Sequence, residues 1–325
     1  MEYKFLGNTG IKVSSLCLGT MTFGNEADEK TSANLFNRSR EAGINFFDCA
    51  NVYAGGRSEE ILGELIADCR DEIVLTSKFY GGVGEDINAR GASRYHIRQA
   101  IEASLRRLKT DRLDVYFMHH FPNGTPLEEV LRSLNDLISQ GKILHIGASN
   151  FAAWQFAKAL GISAVRGWSR IEVIQPMYNL VKRQAEVEIL PMAQSENLGV
   201  ITYSPLGGGL LTGKYGTERK SNGRITSNPM YTARYGKDAN FQIAVDFSDL
   251  ARRRGFEPAA LAVAWVAAHP AITAPIIGAR SLEQLEGSLK SLEINMTAEL
   301  MAEVSALSPE PPLATDREDE RKDWK

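Results

Sequence analysis

Hydrophobic positions in this chain gather into short runs of four to seven residues, and each run is followed by a longer stretch with apolar residues three or four apart. The short runs are SLCLGT (15–20), INFFD (44–48), EIVLTSK (72–78), DVYFMH (114–119), ILHIGA (143–148), EVIQ (172–175), GVITYS (199–204) and APIIG (274–278). Their β-branched and aromatic content predicts strands. Helical spacing fills 29–43, 58–70, 93–109, 126–142, 152–162, 184–197, 239–255 and 257–270. Pro191 and Pro258 sit near a helix end or in a first turn, where a missing N–H costs nothing. Strand–helix alternation implies a parallel sheet with helices outside it. Eight such units predict a (β/α)8 TIM barrel rather than an open sheet. Ahead of the first barrel strand, GNTG separates two short alternating runs within residues 3–16, which predicts an N-terminal β-hairpin closing the barrel bottom.

Two segments break the rhythm. Residues 213–240 are polar and glycine-rich, and longer than an ordinary connection, so a long basic loop or lid is expected after strand seven. Over 213–237, Lys214, Arg219, Lys220, Arg224, Arg234 and Lys237 are set against only Glu218, a candidate anion site in a chain of net charge −3. From Pro309 the chain is proline-rich and then densely charged, a mobile tail over 309–325 after one domain over 1–308.

With 43% hydrophobic residues in 325, the chain can bury a large core. No basic excess points to nucleic acid, and no apolar run nears the ~18 residues that span a membrane. The N-terminus lacks a signal-peptide layout. Cys17, Cys49 and Cys69 form no CxxC pair and read as buried free thiols, not as a metal site. A cytoplasmic protein is expected.

The candidate chemistry lies at strand tips. INFFD ends on Asp48, EIVLTSK on Lys78 and DVYFMH on His119, and Tyr53 follows Asp48 by five residues. Strands that end on ionisable groups aim them into one cleft. A lysine ammonium beside Tyr53 favours the phenolate, which lowers the phenol's pKa from its usual ~10. Asp48 can pair with Lys78 and compensate its charge. His119 can bond the same oxygen that Tyr53 addresses, making Tyr53 a general acid for a carbonyl oxygen. Hydride must then come from a nicotinamide cofactor, because no side chain supplies it.

Other tips are polar too. Ser149 and Asn150 follow strand five, Gln175 ends strand six, and Tyr203, Ser204 and Pro205 follow strand seven. Carboxamides and hydroxyls suit a nicotinamide amide, and Tyr203 offers a ring to stack. SPLGGGLLTGK (204–214) joins glycines to Lys214 without the spacing of a P-loop, and Gly278 with Arg280 precedes a helix. No G-x-G-x-x-G follows a predicted strand, so a dinucleotide would bind without a Rossmann unit.

These residues resemble the aldo/keto reductase superfamily over roughly 3–308, in particular bacterial members related to the potassium-channel beta-subunit branch. FFDCANVYAGGRSEEILGELI, VLTSKF, DVYFMHH, IGASNF, QPMYNL, YSPLGGGLLTGKY and IIGARSLEQLEGSL carry the likeness. It implies a (β/α)8 barrel that binds NADPH and reduces aldehydes or ketones, with Asp48, Tyr53, Lys78 and His119 catalytic. By the same resemblance Ser149, Asn150 and Gln175 meet the nicotinamide amide and Tyr203 stacks on its ring. Gly19, Thr20 and Met21 touch the nicotinamide ribose. Ser204, Pro205, Leu206, Gly208 and Lys214 line the pyrophosphate, and Gly278, Arg280, Gln284 and Ser288 surround the adenosine end. Gly287 and Ser288 stand where the family usually has an acid and an asparagine, and His120 where arginine is common. Strand alternation selects His119 over His120 as the catalytic histidine.

The leading expectation is an NADP-dependent oxidoreductase acting on a small-molecule carbonyl. A cofactor-binding regulatory or sensor subunit is the alternative. A third reading takes Arg224 or Arg234 as ligands for a phosphorylated sugar. The physiological substrate, the direction in the cell and any oligomeric state stay open.

Overall fold

A computed structural model describes residues 1–215 and 223–315. Glu218, Arg219 and Lys220 of the basic segment and the tail from 316 onward lie outside the described residues. In chain order the strands are β1 (Tyr3–Phe5), β2 (Lys12–Ser14), β3 (Cys17–Gly19), β4 (Phe46–Asp48), β5 (Val74–Phe79), β6 (Leu113–Met118), β7 (Ile143–Ser149), β8 (Ile171–Gln175), β9 (Gly199–Thr202) and β10 (Ala274–Ile277). The helices are α1 (Glu29–Glu41), α2 (Arg57–Leu65), α3 (Arg94–Arg107), α4 (Leu127–Ser139), α5 (Ala153–Arg166), α6 (Ile189–Ser195), α7 (Arg224–Ser227), α8 (Pro229–Tyr235), α9 (Asp238–Arg253), α10 (Pro258–Ala267), α11 (Leu282–Leu289) and α12 (Ala298–Ser305).

Strands β3 to β10 close in sequence order into an eight-stranded parallel barrel, with β10 beside β3. The fold is the expected (β/α)8 barrel. Its strands lie within the predicted runs or extend them by a residue, because fully buried parallel strands read as continuous apolar segments. Register places Asp48 beside Thr76 and Lys78 beside Phe117. Gly147 on β7 is required because the Phe117 ring occupies the space of a Cβ there.

β1 and β2 pair antiparallel as the predicted hairpin. Its Leu6 is fully buried, and a Cβ on Gly199, at the start of β9, would stand 2.7 Å from Leu6 Cδ1. The Ser14 N–H donates to Asn45 Oδ1, just before β4, at 2.7 Å. Both contacts are at strand N-termini, so the hairpin covers the barrel bottom.

Side-chain caps begin several helices. Asp28 accepts from the Thr31 N–H at the start of α1, and Ser93 from the His96 N–H at the start of α3. The segment expected as a long loop is partly helical, since α7, α8 and the start of α9 occupy its described part. Asn228 caps α8 and Pro229 opens it, a start signal that the surrounding polar residues obscured.

The chain divides into two compact units. One comprises Met1–Pro176, Asn197–Ile201 and Thr273–Glu286, and holds the barrel; the other comprises Met177–Glu196, Thr202–Ile272 and Gly287–Lys325. Within the second, Tyr178 stacks on Trp265 with ring centroids 5.2 Å apart. Arg183 there donates to the Ser305 and Ser308 carbonyls at 3.1 and 3.2 Å. Cys17 and Cys49 are buried free thiols, while Cys69 is partly exposed. Burial pushes the Cys49 thiol up to about 12 and Cys17 up as well, so both are poor nucleophiles. Among the described residues no helix is long and apolar enough to cross a membrane.

Candidate active site

Four sequence-selected residues converge at the C-terminal ends of β4, β5 and β6. The Lys78 ammonium has no solvent exposure and donates three hydrogen bonds: to Asp48 Oδ2 at 2.6 Å, to the Cys49 carbonyl at 2.7 Å and to the Tyr53 hydroxyl at 3.3 Å. That uses every donor a lysine has. Asp48 accepts two more at Oδ1, from Thr76 Oγ1 at 2.8 Å and Gln175 Nε2 at 2.9 Å. His119 faces the Tyr53 ring edge-on, with centroids 6.3 Å apart.

A buried ion pair survives only when its desolvation is matched by geometry and further hydrogen bonds. Here it is. Burial pulls the Lys78 ammonium down, but the Asp48 carboxylate and the Tyr53 oxygen outweigh it, and its pKa is raised overall. Tyr53 departs from expectation. Burial raises its pKa, and the Asp48 carboxylate adds to the rise, by more than the Lys78 ammonium lowers it, to about 12. The phenol is therefore held protonated, not poised as phenolate. Burial, then the Lys78 ammonium and His120, push His119 down to about 3, so its imidazole is neutral at physiological pH.

Thr76 was not anticipated. It sits two residues before Lys78 on the same face of β5, and the T-x-K spacing was the available signal. Gln175, expected at a nicotinamide amide, spends Nε2 on Asp48. Ser149 donates to the Gln175 carbonyl at 2.9 Å, and Asn150 Nδ2 donates to the His119 carbonyl at 2.9 Å and to Ser149 Oγ at 3.1 Å. Thr20 donates from N–H and hydroxyl to the Asp48 carbonyl, so the tip of β3 holds the tip of β4. Gly19 is buried beside Ile276 and Met21 is exposed. His120 stacks on His119 at 5.2 Å, and Tyr80 lies 5.5 Å beyond. The Arg280 N–H donates to Gln284 Oε1 at 3.2 Å, and a Cβ on Gly278 would stand 3.9 Å from the Gly19 carbonyl.

In the second unit, Ser204, Gly207, Gly208, Gly209 and Gly213 all have positive φ. The Lys214 Nζ lies 2.9 Å from where a Gly209 Cβ would stand, and the Tyr231 ring 2.6 Å from that of Gly208. The Tyr231 ring leaves room only for glycine at 208, while at Gly209 it is the φ of 93° that favours glycine. Burial raises Tyr203 to about 12. Pro205 and Ser288 are buried, Leu206 is partly exposed, and the Arg224 guanidinium lies 5.2 Å over the Tyr231 ring.

The profile described as the aldo/keto reductase family matches residues 15–309. The chain belongs to the aldo/keto reductase family. A Bacillus subtilis protein named uncharacterized oxidoreductase YrpG is 39% identical over 323 residues, covering 96% of this chain and 97% of the relative. A rice protein named probable voltage-gated potassium channel subunit beta is 34% identical over 336 residues, covering 97% and 99%. The versiconal hemiacetal acetate reductase of Aspergillus parasiticus is 30% identical over 326 residues, covering 92% and 94%. Membership of this family supports an oxidoreductase that acts on a carbonyl.

Proposed function

We propose that this aldo/keto reductase reduces an aldehyde or ketone to the alcohol with NADPH, and that Tyr53 supplies the proton. The series Asp48 Oδ2, Lys78 Nζ and Tyr53 hydroxyl, linked at 2.6 and 3.3 Å beside His119, carries the reading. Tyr53 is protonated at neutral pH and so can donate to a carbonyl oxygen. The phenolate left behind meets the Lys78 ammonium, whose charge Asp48 maintains. A neutral His119 bonds the same oxygen without adding a second cation. NADPH, when bound, supplies the hydride that no side chain carries.

Residues of the barrel unit fit such a group. Ser149, Asn150 and Gln175 bring hydroxyl and carboxamide groups to adjacent strand ends for the nicotinamide amide, and Gly19 at the end of β3, with Thr20 and Met21 after it, is proposed for the ribose. Arg280, with Gly278 and Gln284, offers a cation ahead of α11 for the extra phosphate that distinguishes NADPH from NADH. The glycine cradle beside Lys214 suits a phosphate in its own right, with Ser204, Pro205 and Leu206 leading into it. The reductase name of the Aspergillus relative agrees with the direction proposed.

The test is cofactor consumption against a panel of aldehydes and ketones, with NADPH and NADH in parallel. Turnover with clear preference for NADPH is expected. Equal dissociation constants for the two cofactors would remove Arg280 from the account. Tight NADPH binding without turnover would replace the reductase reading with a cofactor-binding regulatory subunit; the rice relative is named a probable channel subunit.

A further inference from the structure

We propose that Asn51 is a positioning residue for Tyr53, holding the phenol against Lys78 through a latch onto Gly81; this rests on the reading of Tyr53 as proton donor. Tyr53 is carried by the loop between β4 and α2, and Ala54, Gly55 and Gly56 after it have φ of 48°, 64° and 102°. Three successive left-handed residues turn the chain sharply, so no regular helix fixes the tyrosine from its C-terminal side. From the other side, the ladder to β5 continues beyond β4: the Cys49 N–H donates to the Thr76 carbonyl at 3.0 Å, and the Asn51 N–H to the Lys78 carbonyl at 3.2 Å.

The Asn51 side chain then takes the next step. Its Nδ2 donates to the Gly81 carbonyl at 3.0 Å. With 2% exposure Asn51 is shielded from water, which strengthens that bond. The neighbouring Val52 closes the same contact, because its Cγ1 occupies the space of a Cβ on Gly81. The partner segment is itself fixed: Tyr80 is held at φ 119°, and its carbonyl accepts from the Gly91 N–H at 2.7 Å.

Position matters here because the Lys78–Tyr53 bond is long, at 3.3 Å. A loop displaced by about 1 Å would take the phenol out of reach of the ammonium, on the scale that costs about a hundredfold in rate. Asn51 reaches no reacting atom and acts through Tyr53.

The experiment compares Asn51→Ala, Asn51→Asp, Gly81→Ala and Gly81→Ala with Val52→Ala against the native chain and Tyr53→Phe. It reads kcat, KM, NADPH affinity, thermal melting and hydrogen exchange of the peptide spanning 49–56. In Asn51→Ala, kcat should fall about tenfold to a hundredfold with NADPH affinity nearly unchanged, and exchange should accelerate in that peptide alone. In Asn51→Asp, an ionised carboxylate faces the Gly81 carbonyl and no donor remains. Protonation restores one, so the ratio of variant to native kcat should rise as pH falls toward ~4. Gly81→Ala should lose kcat, and adding Val52→Ala should restore part of it. Should Asn51→Ala fail to fold, the pH ratio and the Val52 rescue carry the test. Native kcat in Asn51→Ala, a flat pH ratio in Asn51→Asp, or no rescue by Val52→Ala would overturn the latch while Tyr53→Phe stayed inactive. Full activity in Tyr53→Phe would instead defeat the proton-donor reading, with exchange in 49–56 still reporting the latch.

Discussion

Lys78 illustrates how one buried residue ties stability to chemistry. It is fully buried, and removing its ammonium strands the Asp48 carboxylate without its counter-charge. Lys78→Met should abolish turnover and lower stability by about 3–5 kcal/mol. Adding Asp48→Asn should recover part of the stability and none of the activity; urea denaturation beside a reductase assay checks both. His119 carries a pH signature. Its folded pKa is depressed to about 3 from 6.5, so the unfolded chain binds the proton more readily. The stability it contributes is complete above about 6.5 and is lost as pH falls toward 3. On acidification from about pH 7 to about pH 5, the melting temperature of His119→Gln should therefore rise relative to native. A constant difference would contradict a depressed histidine. That Asp48, Lys78, His119 and Tyr53 would meet at one end of the barrel was legible in the sequence, because three separate apolar runs end on ionisable groups. Their ionisation was not, since burial around Tyr53 outweighs the lysine that sequence reasoning credited.

Among the elements, the packing of α2 on α3 turns on Gly63. Glu59 on α2 is fully buried, accepting from Ser77 Oγ at 2.5 Å and from Arg107 Nε at 2.8 Å. That pairing draws the two helices so close that a Cβ on Gly63 would meet the Arg107 carbonyl and stand 2.8 Å from the Leu108 Cα. Alanine inside a helix normally gains about 1 kcal/mol over glycine. Here the clash wins, and Gly63→Ala should destabilise by about 1–3 kcal/mol in chemical denaturation. A stabilised variant would mean that the helices separate freely. Strands and long amphipathic helices were legible because their periods repeat. The short α7 and α8 were not, since four and seven residues give too little period to read among polar neighbours, and the eight-residue α12 was likewise not read as an element.

Across the whole molecule, the closed barrel separates two tasks. Its strand N-termini are sealed by the hairpin through Leu6, and their C-terminal tips present Asp48, Lys78, His119 and the loop of Tyr53. That division follows from parallel strands, which bring every C-terminus to one end. The sequence announced it in eight apolar runs, three of them ending on an ionisable residue. Which carbonyl the chain meets in the cell was not legible, because loop shape decides it and no periodicity encodes that shape. The central claim is that these tips form a reductase with Tyr53 as proton donor. Its most direct test is NADPH consumption by Tyr53→Phe beside the native chain, on the best aldehyde of a panel, with NADPH affinity measured on both. Loss of turnover by at least about a thousandfold with affinity nearly unchanged is the predicted result. Turnover at the native rate in Tyr53→Phe would contradict the account.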